Sequence, residues 1–192
     1  MGNQEAIALR VFHPKQQAPT ALQNRMLEGY IREIVGQSSL ADLRMRFFGI
    51  PDIEAIAGRI TGRIVDSYEQ PRDAVIVAFE NQIPVGYADI SRFSEQPETA
   101  EISMLVRSDR QRRGMGKVML QQVVRELRTE GVKRIESYIH PENGKMKRAL
   151  QKWSQTQELQ DVIFRKSVQE GEIVYSLDLE AKNTQEMASH PL

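Results

Sequence analysis

The sequence predicts one mixed α/β domain, and three observations carry that. Helical periodicity comes first, then three adjacent strand patterns, then helix, strand, helix and two closing strands. No internal repeat or Pro/Gly/Ser linker divides the order. At 192 residues the chain suits one domain and is short for two full ones.

Each element has a local reason. Ile7 to Val11 alternates and reads as a first strand ending before Pro14. Pro19 to Gln37 has apolar residues at Leu22, Met26, Leu27, Tyr30, Ile31, Ile34 and Val35, which is helical spacing with Gly36 at its end. That face suits either its own sheet or a partner helix. Leu40 to Phe48 is a shorter helix, and Asp52 to Tyr68 a third, weakened by Gly58 and Gly62. Asp73–Phe79 is a continuous apolar run, Asn81-Gln82 a tight turn, and Ile83–Phe93 a strand. A polar loop through Pro97 leads to a strand over Glu98–Val106. Gly114 to Glu130 is helical through Met115, Val118, Met119, Val123 and Leu127, with Gly131 as its C-terminal cap. Arg134–His140 reads as strand and Asn143–Trp153 as helix. Leu159–Arg165 and Glu172–Leu179 form a hairpin. Trp153 and the methionines of the Met115 helix are expected in the core, and the chain beyond Ala181 is expected to be a loose tail.

Composition narrows the function. Lys+Arg and Asp+Glu both total 26, so formal net charge is zero, against a dedicated nucleic-acid binder. There is no cysteine, hence no disulfide, thiolate nucleophile or Cys-based zinc site. His13, His140 and His190 lack metal-ligand spacing, so no metal is expected. Ser108 sits in no nucleophile-elbow motif. The longest apolar run, Ala74–Phe79, is far short of the ~18 residues that span a bilayer. The N-terminus carries no signal pattern, and Ala6 breaks a myristoylation motif. A cytoplasmic protein with no membrane partner is the expectation.

The most informative stretch runs from Met104 to Lys117. A strand ends, five basic residues follow within eleven positions (Arg107, Arg110, Arg112, Arg113, Lys117), and Gly114 and Gly116 open a periodic helix. The first amides of a helix have no internal partner and lie at the positive end of its dipole. Glycine lets a phosphate approach them, so the loop suits an anion, a diphosphate above all. A solvated charged face is the plain alternative. A dinucleotide fingerprint is matched at Gly114 and Gly116 but has Met119 where its third glycine belongs, although Glu136 lies at the distance of a ribose contact. The P-loop pattern fails around Lys117-Val118.

Gln111, Gly114 and Gly116, after a strand and opening a helix, match the signature Gln/Arg-x-x-Gly-x-Gly/Ala. In this the chain resembles the GNAT superfamily of acyl-CoA-dependent N-acyltransferases, and the element order over roughly Ile7 to Leu179 fits too. The resemblance implies a single GNAT-like domain over 1–180, of α/β (α+β) class. Its mixed, mostly antiparallel sheet would be flanked by helices and splay open after the Glu98–Val106 strand. It implies acetyl-CoA as cosubstrate. The loop Gln111-Arg112-Arg113-Gly114-Met115-Gly116-Lys117 would hold the diphosphate, the strand edge Leu105-Val106-Arg107 the pantetheine arm, and Asn143 a further contact. Leu43-Arg44-Met45-Arg46-Phe47-Phe48, Ala100-Glu101-Ile102-Ser103, and Pro141-Glu142-Asn143 with Met146 resemble bacterial protein-lysine acetyltransferases. Ser154-Gln155 stands where those proteins often have Gly-Phe, and their extra regulatory or synthetase-like domain has no counterpart among these residues.

An amine attacks a thioester only when neutral. At pH 7 a free lysine, with a pKa of about 10.4, pays roughly 4–5 kcal/mol to lose its proton. By resemblance Glu101 is the general base, although an ordinary strand glutamate is the simple alternative. Asn143 equally suits a helix cap. The position of the family's tyrosine acid is Leu150, and Tyr138 is the nearest upstream tyrosine. The acceptor is expected to be an amine, protein lysine first. A small amine, or a catalytically silent acyl-CoA-binding module, stands as the alternative.

Overall fold

The computed structural model describes residues 7–12, 21–44, 55, 58, 74–159, 161–169 and 172–179. Its strands are β1 (Ile7–Phe12), β2 (Ala74–Glu80), β3 (Ile83–Phe93), β4 (Gln96–Val106), β5 (Arg134–Ile139), β6 (Ile163–Gln169) and β7 (Glu172–Asp178). Its helices are α1 (Ala21–Gly36), α2 (Leu40–Arg44), α3 (Met115–Thr129) and α4 (Gly144–Trp153). Hydrogen bonding orders the strands β1-β2-β3-β4-β5-β7-β6. The β1–β2, β2–β3, β5–β7 and β6–β7 pairs are antiparallel and β4–β5 is parallel, so the sheet is mixed and mostly antiparallel, as expected. A parallel pair needs a crossover, and α3 supplies it between β4 and β5. The chain divides into two compact units, Met1–Ser91 with Ile102–Val123 and Arg92–Glu101 with Val124–Leu192.

The first unit is built on β2, every residue of which is buried. A continuous apolar strand is what a sheet covered on both faces requires. Leu27, Ile31, Ile34 and Val35 of α1 pack with Val75, Val77, Phe79, Tyr87 and Leu105, each fully buried side chain contributing about 1.5–3 kcal/mol. The α1 face therefore covers its own strands. Ala78 and Val85 cluster instead with Met115 and Met119 of α3. Leu22 and Met26 lie outside this seam, 61% and 40% exposed. Periodicity put them on the apolar face, but the stripe that meets the strands is the neighbouring one, through Leu27, Ile31 and Ile34.

Asn81 and Gln82 have φ of 51° and 67°, the left-handed pair that a two-residue hairpin turn demands, and Glu80 pairs with Ile83 across it. β3 continues to Gly86, where a Cβ would stand 2.9 Å from the Leu105 carbonyl oxygen and 3.2 Å from the Met119 Cε. Gly86→Ala is thus expected to destabilise the protein by about 1–3 kcal/mol. A thermal melt should show roughly 2–4 °C lost per kcal/mol, and an unchanged midpoint would refute the contact.

In the second unit β4 pairs with β5 from Thr99↔Arg134 to Glu101↔Glu136, and β7 covers the other edge of β5. The C-terminal end of α3 closes as foreseen at Gly131, whose φ is 77°. Val132 N–H donates to the Leu127 carbonyl at 3.0 Å and Gly131 N–H to that of Arg128 at 3.2 Å, a Schellman closure. Strand starts differ from the sequence expectation in two places, and β6 runs on past Arg165 to Gln169. β4 begins at Gln96, because Pro97, which lacks an N–H, is tolerated near a strand start. Leu159 is buried by a 3-10 turn over Gln157–Leu159, so β6 starts only at Ile163. Of the helix expected over Asp52–Tyr68 only Ala55 and Gly58 are described, both helical, and the tail from 181 lies outside the described residues.

Candidate functional site

The loop leaves β4 at Arg107, whose backbone N–H donates to the Val85 carbonyl at 2.9 Å. Its guanidinium is buried. Nε and one terminal nitrogen donate to the two Asp109 oxygens, each at 3.1 Å, and Glu33 lies 3.7 Å away. The Arg107 hydrogen bonds hold the Asp109 carboxyl below its ordinary pKa. Ser108–Arg110 make one 3-10 turn. Arg110 Nε meets Glu80 Oε2 at 3.2 Å and Arg113 meets Glu80 Oε1 at 3.6 Å, and Glu80 is itself buried.

From the other side α2 holds the loop. Ser39 caps α2, its Oγ accepting from the Asp42 N–H at 3.2 Å. The Ser39 N–H donates to Ser108 Oγ at 2.7 Å, and Ser108 Oγ–H donates to Asp42 Oδ2 at 2.6 Å. Gln111 Nε2 donates to the same Asp42 oxygen at 3.0 Å and to the Val106 carbonyl at 3.2 Å.

Between these anchors the backbone takes two left-handed residues, Arg112 with φ 65° and Gly114 with φ 85°. Glycine bears this freely, whereas an arginine there stores strain of order 1–2 kcal/mol. Arg112 is exposed. Val118 N–H makes the first helical bond, to the Gly114 carbonyl at 3.1 Å, so the amides of Met115, Gly116 and Lys117 precede it. Buried Met115 seats the helix start. Backbone donors, a helix N-terminus and an exposed cation therefore share one turn, an arrangement that binds a phosphate or diphosphate.

Leu105, Val106, Arg107, Gln111, Arg112, Arg113, Gly114, Met115, Gly116 and Lys117 thus lie in one stretch of the first unit. The basic residues divide by task. Arg107 and Arg110 act as struts tied to carboxylates, and Arg113 leans on Glu80 from the half-exposed side. Sequence reasoning missed the acidic anchors Asp42 and Glu80. A Ser39-x-x-Asp42 capping pattern was the only local signal for either.

Glu101 and Asn143 belong to the second unit. Glu101 is half-buried and stands in register with Glu136, whose carboxylate accepts from the Tyr138 hydroxyl at 3.3 Å. Tyr138 is 40% exposed. Asn143 caps α4, its Oδ1 accepting from the Met146 N–H at 3.0 Å. Leu150 is buried and has no proton to give. Among the described residues no group of three or more His, Cys, Asp or Glu could hold a metal ion, and no helix is long and apolar enough to cross a membrane.

A model of the acetyltransferase (GNAT) family matches residues 35–154. Among solved structures, the GNAT domain of S. lividans PAT superimposes with a TM-score of 0.65 at 18% identity, covering 92% of this chain and 97% of that one. An acetyltransferase from Thermus thermophilus gives 0.60 at 20% identity, covering 89% and 94%. PaiA N-acetyltransferase from Thermoplasma acidophilum, in complex with coenzyme A, gives 0.56 at 14% identity, covering 90% and 99%. At these identities the likeness concerns the fold. No curated protein matches the sequence.

Proposed function

Because the chain belongs to the acetyltransferase (GNAT) family and is an acyl-CoA-dependent N-acetyltransferase, we propose that it moves an acetyl group from acetyl-CoA to a primary amine, protein lysine first among the candidates. The observation that carries this is the turn through Arg112 and Gly114, which sets the amides of Met115, Gly116 and Lys117 ahead of the first helical hydrogen bond. In this reading those amides and the Arg112 and Arg113 side chains hold the CoA diphosphate. The amide of Arg107 is turned toward β3. By strand alternation the peptide groups of Val106 face the other way, between Leu105 and Arg107. Its carbonyl already accepts from Gln111, so its N–H is the group the pantetheine arm would meet as an added strand. Asn143, its Oδ1 engaged in the α4 cap, retains the amide nitrogen for a CoA contact.

Glu101 takes the proton of the incoming ammonium, directly or through water, and the neutral amine attacks the thioester carbonyl. As the tetrahedral adduct collapses, the C–S bond breaks and the second amine proton passes through water to solvent or to the departing thiolate. With a free-thiol pKa of about 8.5 that thiolate leaves without a side-chain acid, which suits a leucine at 150. A cytoplasmic location belongs to the same proposal, as does a GNAT-like domain over 1–180.

The test is free-thiol release from acetyl-CoA with a panel of lysine peptides, polyamines and amino acids. Lysine peptides are expected to turn over best. Turnover of a small amine alone would move the acceptor class. Binding of acetyl-CoA with no acceptor turned over would favour a silent acyl-CoA-binding module, the reading that the apolar Leu150 keeps open.

A further inference from the structure

The catalytic proposal leaves Asp42 unused, yet it is the residue on which the loop converges from α2. We infer that Asp42 is a positioning residue for acetyl-CoA, holding the diphosphate loop in its binding conformation before the cofactor arrives. The inference rests on the proposed use of that loop.

Two donors of the loop meet one Asp42 oxygen, Ser108 Oγ–H at 2.6 Å and Gln111 Nε2 at 3.0 Å. Hydrogen bonds to an ionised carboxylate are shorter and stronger than neutral ones. The Ser39 amide, on Ser108 Oγ at 2.7 Å, ties the same hydroxyl to the start of α2. Ser108 opens the 3-10 turn and Gln111 directly precedes Arg112, so the clamp grips both ends of the segment that enters the left-handed conformation. Gln111 also holds the Val106 carbonyl at 3.2 Å, linking the clamp to the end of β4.

A left-handed arginine is a sparsely populated state that persists only where its surroundings over-determine it. A carboxylate near an anion site would by itself repel the diphosphate. Here its charge is absorbed by two donors, and the return is a turn that need not be ordered on binding. Ordering a loop in advance lowers the cost of binding, and its loss shows in affinity before it shows in chemistry.

The predicted signature is a split between cofactor affinity and turnover. Asp42→Ala should weaken CoA binding, read by calorimetry, and raise KM for acetyl-CoA by tenfold or more. At saturating cofactor kcat should stay within about threefold, and the melting temperature without CoA within a few degrees. Asp42→Asn keeps an oxygen acceptor and should recover part of the affinity. Ser108→Ala and Gln111→Ala probe the same clamp from the loop side, and combining either with Asp42→Ala should cost less than the sum of the singles. Unchanged CoA affinity in Asp42→Ala and in both loop-side variants would overturn the inference. So would an equal fall in affinity, kcat and melting temperature, which marks a merely structural side chain. Wild-type protein that fails to bind CoA would remove the proposed function itself, a different outcome from wild type that binds beside an indifferent Asp42→Ala.

Discussion

Gly116→Glu is expected to abolish the rise in melting temperature that acetyl-CoA gives the wild-type protein. Gly116 is the second residue of α3, ahead of the first helical hydrogen bond from Val118 to Gly114. A glutamate there is a better helix former than glycine, and its carboxylate sits favourably at the positive end of the dipole. The CoA-free protein should therefore melt within a few degrees of wild type. The same carboxylate competes for the donors that the diphosphate needs and repels it. At a cofactor concentration of about 100 times Kd, binding stabilises a protein by about 2.7 kcal/mol, which for a chain of this size is a shift of roughly 5–10 °C. In the variant that shift should vanish. Gly116→Ala, which adds a methyl and no charge, should keep most of it. NADH should shift neither protein, and stabilisation by NADH with none by CoA would replace the acyl-CoA reading with a dinucleotide one.

Local signals were legible wherever one element satisfies itself. The buried run of β2, the Asn81-Gln82 turn and the Gly131 cap each follow from residues within a few positions of one another. Asn143 was legible as either cofactor contact or helix cap, and the Met146 N–H, donating to its Oδ1, gives it the second role in the fold. Long-range polar pairing was not legible. Asp42 meets Ser108 and Gln111 across 66 and 69 residues, and nothing in the local pattern of either segment selects the other. The five basic residues after β4 illustrate the cost. As a sequence they form a charge run aimed at a ligand, whereas Arg107 and Arg110 spend their guanidinium groups on Asp109 and Glu80. Periodicity similarly defined a helix at α1 without deciding which of two adjacent apolar stripes faces the strands, so Leu22 and Met26 came out exposed.

Glu101→Gln should lower kcat by at least two orders of magnitude at neutral pH. Glutamine keeps the size of the side chain and an oxygen acceptor, so the half-buried site on β4 is preserved while the proton acceptor is lost. A lysine amine must shed a proton that costs roughly 4–5 kcal/mol at pH 7, and a positioned base typically contributes about 100- to 10,000-fold. Raising the pH should return part of the loss, since more of the amine is then neutral without help. CoA affinity should hardly change, because the amides proposed for the diphosphate belong to the start of α3, beyond the end of β4. Glu136, the register partner of Glu101, gives the matched control. Glu136→Gln removes a carboxylate from the neighbouring strand position and should leave kcat within about threefold. A fall of less than threefold in Glu101→Gln at saturating substrates would take Glu101 out of the mechanism. A parallel loss of CoA affinity would place it instead among the residues that hold the strand.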